Sequence, residues 1–129
     1  MRSIAGIAIR DSRVFVARRH PGGDMGGKWE FPGGKCEEGE DSASTAVREF
    51  EEEFGLSIVA GSVIGKSSFM NNGKAYELAA IMVSFDGNPA FLREHLEYRW
   101  VGAEELLTLD LADSDRSLLT FVLPLLSVS

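Results

Sequence analysis

Three glutamates, Glu49, Glu52 and Glu53, have the spacing that places them on one side of a helix. Like charges three or four residues apart repel, and each pair destabilises a helix by roughly 0.2–0.5 kcal/mol. The acidic arc is therefore either a solvated surface or a place where a cation binds. Carboxylates clustered without a thiolate or a histidine suit Mg²⁺ or Mn²⁺. Substrate phosphates complete the coordination shell of such an ion.

The helix that carries the acidic arc can be delimited from its ends. Asp41 and Ser42 are good N-cap residues, and Gly55 is typical of the position after a helix C-terminus. The arc lies in the second half of this helix, where the macrodipole disfavours negative charge, and this favours a bound cation. The apolar stripe that we expect to pack on a sheet consists of Ala43, Ala46, Val47, Phe50 and Phe54.

The composition limits the classes of function. A chain of 129 residues fits one domain, and its net charge of −7 argues against a protein that binds duplex nucleic acid. The single cysteine, Cys36, excludes an internal disulfide and suits a reducing cytosol. Neither end is apolar over enough residues for a secretory signal or a membrane span. We expect a cytoplasmic protein, monomeric or homodimeric, without a membrane or nucleic-acid partner.

The segments around the helix predict strands and loops. Residues 3–10 and 14–19 flank a polar turn and predict a hairpin, and Asn71-Asn72-Gly73 predicts a second one. Residues 20–27 and 32–40 are rich in glycine and predict loops, of which we expect the first to be mobile.

The second half of the chain completes the predicted fold. Residues 97–102 predict a strand, residues 103–107 begin a short helix, and residues 113–126 predict a final amphipathic helix with Pro124 near its end. Strands, hairpins and helices in this mixture favour an α+β domain with a mixed sheet over a doubly wound parallel sheet.

Loop and helix together form a longer motif. Residues 34–56, "GKCEEGEDSASTAVREFEEEFGL", resemble the Nudix box G-x5-E-x7-R-E-U-x-E-E-x-G-U, where U is a bulky aliphatic or aromatic residue. Outside the box, residues 18–19, 28–35, 93–100 and 113–115 resemble the MutT branch, so the resemblance covers nearly the whole chain. The residues that meet the fixed positions of the box are Gly34, Glu40, Arg48, Glu49, Phe50, Glu52, Glu53, Gly55 and Leu56.

The resemblance implies a fold and a reaction. It implies one Nudix domain over residues 1–129, with a mixed sheet sandwiched between helices, and a metal-dependent hydrolase of nucleoside-diphosphate-linked substrates. The MutT branch implies cleavage of a nucleoside triphosphate to monophosphate and pyrophosphate, as in the sanitising of 8-oxo-dGTP that protects DNA. The alternatives are a CTP or 5-methyl-dCTP pyrophosphohydrolase, another nucleoside-diphosphate-linked substrate, and a nucleotide-binding module that has lost catalysis.

The resemblance also implies roles for single residues. The base toward the attacking water is Glu49, Glu52 or the loop residue Glu94. Arg48 belongs to the catalytic set, but its role is structural rather than catalytic: it bridges two carboxylates and fixes their orientation. Glu40 holds the loop or assists through water. The implied ligands of Mg²⁺, or of Mn²⁺, are Glu49, Glu52, Glu53, Glu94 and the carbonyl of Gly33.

The resemblance implies one residue that contacts the phosphates and one that contacts the base. Arg19 resembles a phosphate-binding arginine, and Arg18 should face the other side of its strand. Asp115 stands where the founding MutT proteins have a base-reading asparagine. An ionised aspartate only accepts hydrogen bonds, which suits the exocyclic amine of cytosine or adenine or the ring N–H of an oxidised guanine; a protonated aspartate could mimic asparagine. The residues assigned to the substrate are Arg19, Phe31, Gly34, Lys35 and Asp115.

Some residues near these motifs receive other interpretations. Phe31 either stacks on the base or packs in the core, and Trp29 is assigned to packing. Glycine at 33 and 34 permits close backbone approach. We expect His20 and His95 to be surface residues, since neither has a partner pattern for a metal site or a catalytic triad. Cys36 is given no catalytic role.

Overall fold

The computed structural model describes residues 1–23 and 26–126, so Asp24 and Met25 of the predicted mobile loop lie outside the described residues. None of the described helices has the length and apolar character needed to span a membrane. The strands are β1 Arg2–Arg10, β2 Arg13–Arg19, β3 Trp29–Glu30, β4 Gly33–Lys35, β5 Val59–Asn71, β6 Lys74–Ser84 and β7 His95–Val101. The helices are α1 Ser42–Phe54, α2 Ala103–Thr108, α3 Asp113–Arg116 and α4 Leu119–Val122, followed by a 3-10 turn at Leu123–Leu126.

The described strands form one mixed sheet. Its main path is β3-β2-β1-β6-β5, with β4 paired to β1 and β7 paired to β2. The pairing of β1 with β6 is parallel, and the other pairings are antiparallel. Both predicted hairpins are confirmed: β1 and β2 meet through Asp11 and Ser12, and β5 and β6 meet through Asn72 and Gly73, all four at positive φ as such tight turns require.

Hydrophobic residues cover both faces of the sheet. Along β1, Ala5 and Ile7 belong to one buried cluster, and Ile4 and Ala8 belong to the other, as the alternation of side chains in a strand requires. The first cluster packs against the C-terminal helices, and the second packs against α1. The expected mixed sheet between helical layers is therefore confirmed.

Helix α1 has the predicted ends and most of the predicted apolar face. Asp41 caps it by accepting a hydrogen bond from the Ser44 N–H at 2.8 Å, and Gly55 ends it in the left-handed conformation with φ of 65°. Phe54 packs edge-on against Phe15 of β2, with ring centroids 5.4 Å apart. The prediction for Val47 was wrong: it is 39% exposed, because it lies at the margin of the stripe and turns to the outer surface.

Two further segments differ from their predictions. Residues 32–40 were predicted as a loop, but Gly33–Lys35 form β4, where a Cβ on Gly33 would overlap the Ile4 carbonyl oxygen of the neighbouring strand. The predicted final helix is divided into α3, α4 and a 3-10 turn. It breaks at Ser117, whose hydroxyl donates to the Ser114 carbonyl, and Pro124 has no N–H with which to continue an α-helix.

Candidate active site

The three glutamates of the acidic arc occupy different surroundings on α1. Glu53 is 9% exposed, and its Oε2 has no hydrogen-bond partner among the described residues. Burial, followed by the charges of Glu49, Glu30 and Glu94, raises the pKa of Glu53 to about 8. Burial also raises the pKa of Glu49, although Arg48 opposes the shift. Glu52 is exposed, so the arc runs from the protein interior to solvent.

Arg48 connects these carboxylates to the preceding loop. Its Nη1 donates to Glu49 Oε1 at 2.9 Å and to Glu52 Oε2 at 3.3 Å. Its Nε and Nη2 donate to the two oxygens of Glu40 at 2.8 and 2.9 Å, and Nη2 also reaches the carbonyl of Lys35 at 3.0 Å. The predicted bridging by Arg48 is confirmed, and it makes this arginine an organiser of the acidic arc.

Glu40 has the loop-holding position that the sequence predicts. Its Oε1 accepts from the Glu37 N–H at 2.8 Å and from the Thr45 hydroxyl at 3.0 Å. These contacts fix the loop to the first turn of α1. The hydrogen bonds from Arg48 and from the Glu37 backbone lower the pKa of Glu40 to about 2, so it stays ionised and keeps Arg48 in place.

The glycines of β4 place backbone directly beside the acidic arc. A Cβ on Gly34 would lie 2.5 Å from the carboxyl carbon of Glu49, so only glycine leaves room for that carboxylate. Gly33 precedes it on the same strand, close to β1. Lys35 ends the strand with an exposed side chain and contributes its carbonyl to Arg48.

The acidic arc has the side chains that a divalent-cation site needs, but they do not converge on one point in this structure. No three acidic, histidine or cysteine side chains in residues 1–23 and 26–126 converge closely enough to bind a metal together. Glu49 and Glu52 both contact Arg48 Nη1, whereas Glu53 makes no side-chain hydrogen bond to this arginine among the described residues. A cation would supply the partner that Glu53 Oε2 lacks and would offset the repulsion among these charges, so the donor set fits Mg²⁺ or Mn²⁺.

A small cleft of about 140 Å³ lies next to the arc, between the sheet and α3. It gathers five residues that the sequence assigns to the substrate or the metal: Arg19, Phe31, Gly33, Gly34 and Asp115. Larger depressions elsewhere, such as one of about 520 Å³ along the outer face of α1, include neither Arg19 nor Asp115. The cleft therefore brings together predicted substrate residues, while the carboxylates of the acidic arc lie outside its lining, and Arg48 and Glu52 line the larger depression.

Asp115 is the buried acid of this cleft. It is 7% exposed, and burial, followed by the charge of Glu30, raises its pKa to about 8. Its Oδ1 accepts a hydrogen bond from the Phe31 N–H at 3.2 Å, which fixes the carboxyl group on the floor of the cleft. The Phe31 ring is 2% exposed and packs in the core, so the structure favours core packing over base stacking for this residue.

Glu94 is exposed and stands just before β7, beside the buried end of the arc. The next residue back, Arg93, donates its backbone N–H to the Glu53 carbonyl at 3.1 Å, and this contact holds the segment against α1. The charge of Glu94 contributes to the raised pKa of Glu53. The predicted partnership of Glu94 with the arc is thus compatible with its position.

Sequence reasoning missed two residues of this region, Glu30 and His95. The prediction that His95 is a surface residue was wrong: it is 2% exposed, because β7 pairs with β2 and Phe54 of α1 stacks on the imidazole ring, with centroids 5.3 Å apart. His20, by contrast, is exposed as predicted. The sequence did contain a signal for Glu30, because this acid lies between Trp29 and Phe31 in a short apolar strand. A carboxylate that is buried there needs hydrogen-bond or charge partners.

Comparison with known proteins identifies the family of the chain. The NUDIX domain family model matches residues 1–121. A CTP pyrophosphohydrolase from Escherichia coli is 33% identical over 90% of this chain and 86% of its own length. A putative 8-oxo-dGTP diphosphatase 2 from Mycobacterium tuberculosis is 34% identical over 88% of this chain and 81% of its own length.

Solved structures show the same fold. The solution structure of the E. coli ORF135 protein superposes with a TM-score of 0.85 at 33% identity, covering 96% of this chain and 89% of its own. A MutT NUDIX hydrolase from Burkholderia pseudomallei superposes with a TM-score of 0.79 at 24% identity, covering 94% and 96%. The chain therefore belongs to the Nudix hydrolase family and has its α+β fold.

Proposed function

We propose that this protein is a divalent-metal-dependent pyrophosphohydrolase that cleaves nucleoside triphosphates to the monophosphate and pyrophosphate. One observation carries the proposal: the cleft that contains Arg19 and Asp115 opens beside the acidic arc through Gly33 and Gly34. A nucleotide needs a base contact at one end and a cationic phosphate site at the other, and the cleft together with the adjacent acidic arc would offer both.

Different residues bind the metal, bind the phosphates and accept the proton during phosphoryl transfer. Mg²⁺ or Mn²⁺, when held by Glu49, Glu52, Glu53 and the Gly33 carbonyl, supplies positive charge to the triphosphate and acidifies water. Arg19 donates hydrogen bonds to the phosphates, and Gly34 lets them approach the backbone. A carboxylate, which is Glu49, Glu52 or Glu94, accepts the proton of the attacking water.

The products define where the water attacks. Attack at the β-phosphorus forms a new phosphorus–oxygen bond on the pyrophosphate and breaks its bond to the α-phosphate oxygen, which leaves with the monophosphate. Hydrolysis in ¹⁸O-labelled water, followed by mass spectrometry, then places the label in pyrophosphate. Label in the monophosphate would contradict attack at this phosphorus.

We propose oxidised or modified nucleotides such as 8-oxo-dGTP as the preferred substrates. With its pKa near 8, Asp115 carries a proton at neutral pH, so it both donates and accepts hydrogen bonds as an asparagine does. That removes the main objection to a MutT-like base site with aspartate at this position. The specificity constant for 8-oxo-dGTP should then fall as the pH rises above 8, because the ionised carboxylate can no longer donate.

A second candidate is a CTP or 5-methyl-dCTP pyrophosphohydrolase. Its support is the 33% identity to a relative named CTP pyrophosphohydrolase, over 90% of this chain. An ionised Asp115 would accept from the exocyclic amine of cytosine, so this activity should instead rise with pH.

One assay separates the candidates. Pyrophosphate release is measured with Mg²⁺ across 8-oxo-dGTP, dGTP, CTP, 5-methyl-dCTP and nucleoside-diphosphate-linked compounds. A preference for 8-oxo-dGTP supports the first candidate, and a preference for the cytosine nucleotides supports the second. No hydrolysis of any compound would reject both and favour a nucleotide-binding module without catalysis.

The proposed substrate is a free nucleotide, which bears on the compartment and the partners of the protein. We propose that the protein acts on free nucleotides in the cytoplasm, without a nucleic-acid polymer or membrane as partner, since its net charge of −7 would repel both. It would do so as a monomer or homodimer, which analytical ultracentrifugation distinguishes.

A further inference from the structure

Three side chains outside the acidic arc form a continuous hydrogen-bonded chain, Arg19–Glu30–His95. Arg19 Nη1 donates to Glu30 Oε1 at 3.1 Å, and His95 Nε2 donates to Glu30 Oε2 at 2.8 Å. Burial increases along it: Arg19 is half-buried, Glu30 is nearly buried, and the His95 side chain is inaccessible to solvent. Its exposed end is the proposed phosphate-binding arginine.

The sheet fixes the spacing of these three residues. Glu30 on β3 and His95 on β7 lie on the two strands that flank β2, which carries Arg19. Arg19 and His95 are paired across β2 and β7, just after a bulge between Arg18 and Arg19. Phe15 and Ala17 lie in the cluster under α1, so the alternation along β2 places Arg19 on the same face. Glu30 pairs with Ala17, and its side chain meets that of Arg19 at the cleft.

His95 is the immobile end of the chain. Its ring stacks on Phe54 of α1, with centroids 5.3 Å apart and planes 14° apart, and it is enclosed by the sheet. Its bond to Glu30 Oε2 leaves only Oε1 of that carboxylate to contact Arg19. Without that bond, the Glu30 side chain would rotate toward another hydrogen-bond donor, because a buried carboxylate oxygen without a donor costs free energy.

Arg19 keeps most of its hydrogen-bonding capacity in this arrangement. One N–H contacts Glu30 Oε1, and a guanidinium has five in a fixed plane. Within residues 1–23 and 26–126 no other side chain hydrogen-bonds to this guanidinium, so its remaining edge can meet an anion in an orientation already set by Glu30. A long side chain ordered before binding loses less conformational freedom when the ligand arrives.

We propose that His95, acting through Glu30, positions Arg19 for the phosphates of the substrate. Both are positioning residues, because Glu30 and His95 reach the phosphates only through Arg19. The proposal rests on the proposed function for the identity of the ligand, while the ordering of Arg19 is a property of the protein alone. Two rival roles exist: Glu30 as a competitor that withholds Arg19 from phosphate, and His95 as core packing without influence on Arg19.

Two substitutions at one position isolate the hydrogen bond. His95→Phe keeps an aromatic ring against Phe54 and removes the donor, and His95→Gln keeps a donor and serves as the matched control. We expect His95→Phe to raise KM for the triphosphate about 3- to 10-fold, with little change in kcat, since one side chain must now be ordered on binding. His95→Gln should restore most of the wild-type KM.

Coupling to Arg19 separates positioning from packing. In an Arg19→Gln background, His95→Phe should raise KM no further, because the residue that it positions is gone. An equal rise in both backgrounds would overturn the proposal, and so would no rise in either. Glu30→Gln provides an independent variant in case His95→Phe does not fold: higher KM is expected, and lower KM would show that Glu30 competes with phosphate.

A direct measurement needs no enzymatic activity. Nitrogen-15 relaxation of the Arg19 Nε–H, in metal-free protein without ligand, should show an ordered group in the wild type and in His95→Gln. The same group should be mobile in His95→Phe. Equal mobility in all three proteins would overturn the proposal whatever the activity. Loss of order in His95→Phe, in a protein that hydrolyses no triphosphate, would keep the positioning of Arg19 and reject the proposed function.

Discussion

Asp115→Asn tests whether the acid in the cleft is neutral. Burial raises the pKa of Asp115 from 3.8 in the unfolded chain to about 8 in the folded protein, so folding takes up a proton at pH values in between. Asparagine has nearly the same shape, can accept from the Phe31 N–H, and carries no titratable proton. The substitution therefore removes the contribution of this one group to the pH dependence of stability and leaves the packing in place.

The sign and size of the effect follow from proton linkage. Between these two pKa values the unfolded state binds fewer protons than the folded state, so the stability of the wild type falls as the pH rises. The slope is at most about 1.4 kcal/mol per pH unit, which amounts to about 2.5 kcal/mol between pH 5 and pH 7. Above about pH 8 both states are ionised, and the loss stops.

Urea unfolding of the metal-free protein measures this difference. The free energy of unfolding of Asp115→Asn minus that of the wild type should rise by about 2 to 3 kcal/mol from pH 5 to pH 7, with unchanged m-values. Asp113→Asn, at an exposed position in the same short helix, is the matched control and should show no such rise. A difference that does not change with pH would refute the neutral-carboxyl interpretation and the base site built on it.

Two further substitutions test the acidic arc. The double variant Glu52→Gln, Glu53→Gln should abolish pyrophosphate release and leave the metal-free fold equally or slightly more stable, because it removes like charges and a buried carboxylate; a marked fall in its melting temperature would show that these groups serve structure. Gly34→Ala should lower kcat about 100-fold by displacing the Glu49 carboxylate, while Gly102→Ala, where a Cβ meets nothing within 4 Å, should match the wild type; equal activity of the two alanine variants would contradict the close packing of Gly34.

Local signals account for the parts of the fold that the sequence predicted correctly. Asp41 and Gly55 mark the ends of α1 through the backbone conformations that they favour. The two hairpin turns are encoded by residues that tolerate positive φ, such as Asn72 and Gly73. These features depend on a few neighbouring residues, so a single sequence contains them in full.

Features that depend on distant partners were predicted wrongly or missed. β4 is a strand only because β1 lies beside Gly33, and local composition indicates a loop. His95 is buried because β2 and Phe54 enclose it, and nothing in residues 93–100 indicates that enclosure. The pairing of Glu30 with both Arg19 and His95 joins residues from three strands. Such contacts follow from the strand order, which the sequence pattern left open.

The proposed activity requires a divalent cation that binds at the acidic arc together with the nucleotide. Isothermal titration calorimetry of Mn²⁺ into the protein, with a non-hydrolysable triphosphate analogue present, tests it most directly. We expect saturable Mn²⁺ binding to the wild type and loss of that binding in the Glu52→Gln, Glu53→Gln double variant. Absence of Mn²⁺ binding to the wild type, or equal binding to both proteins, would contradict it.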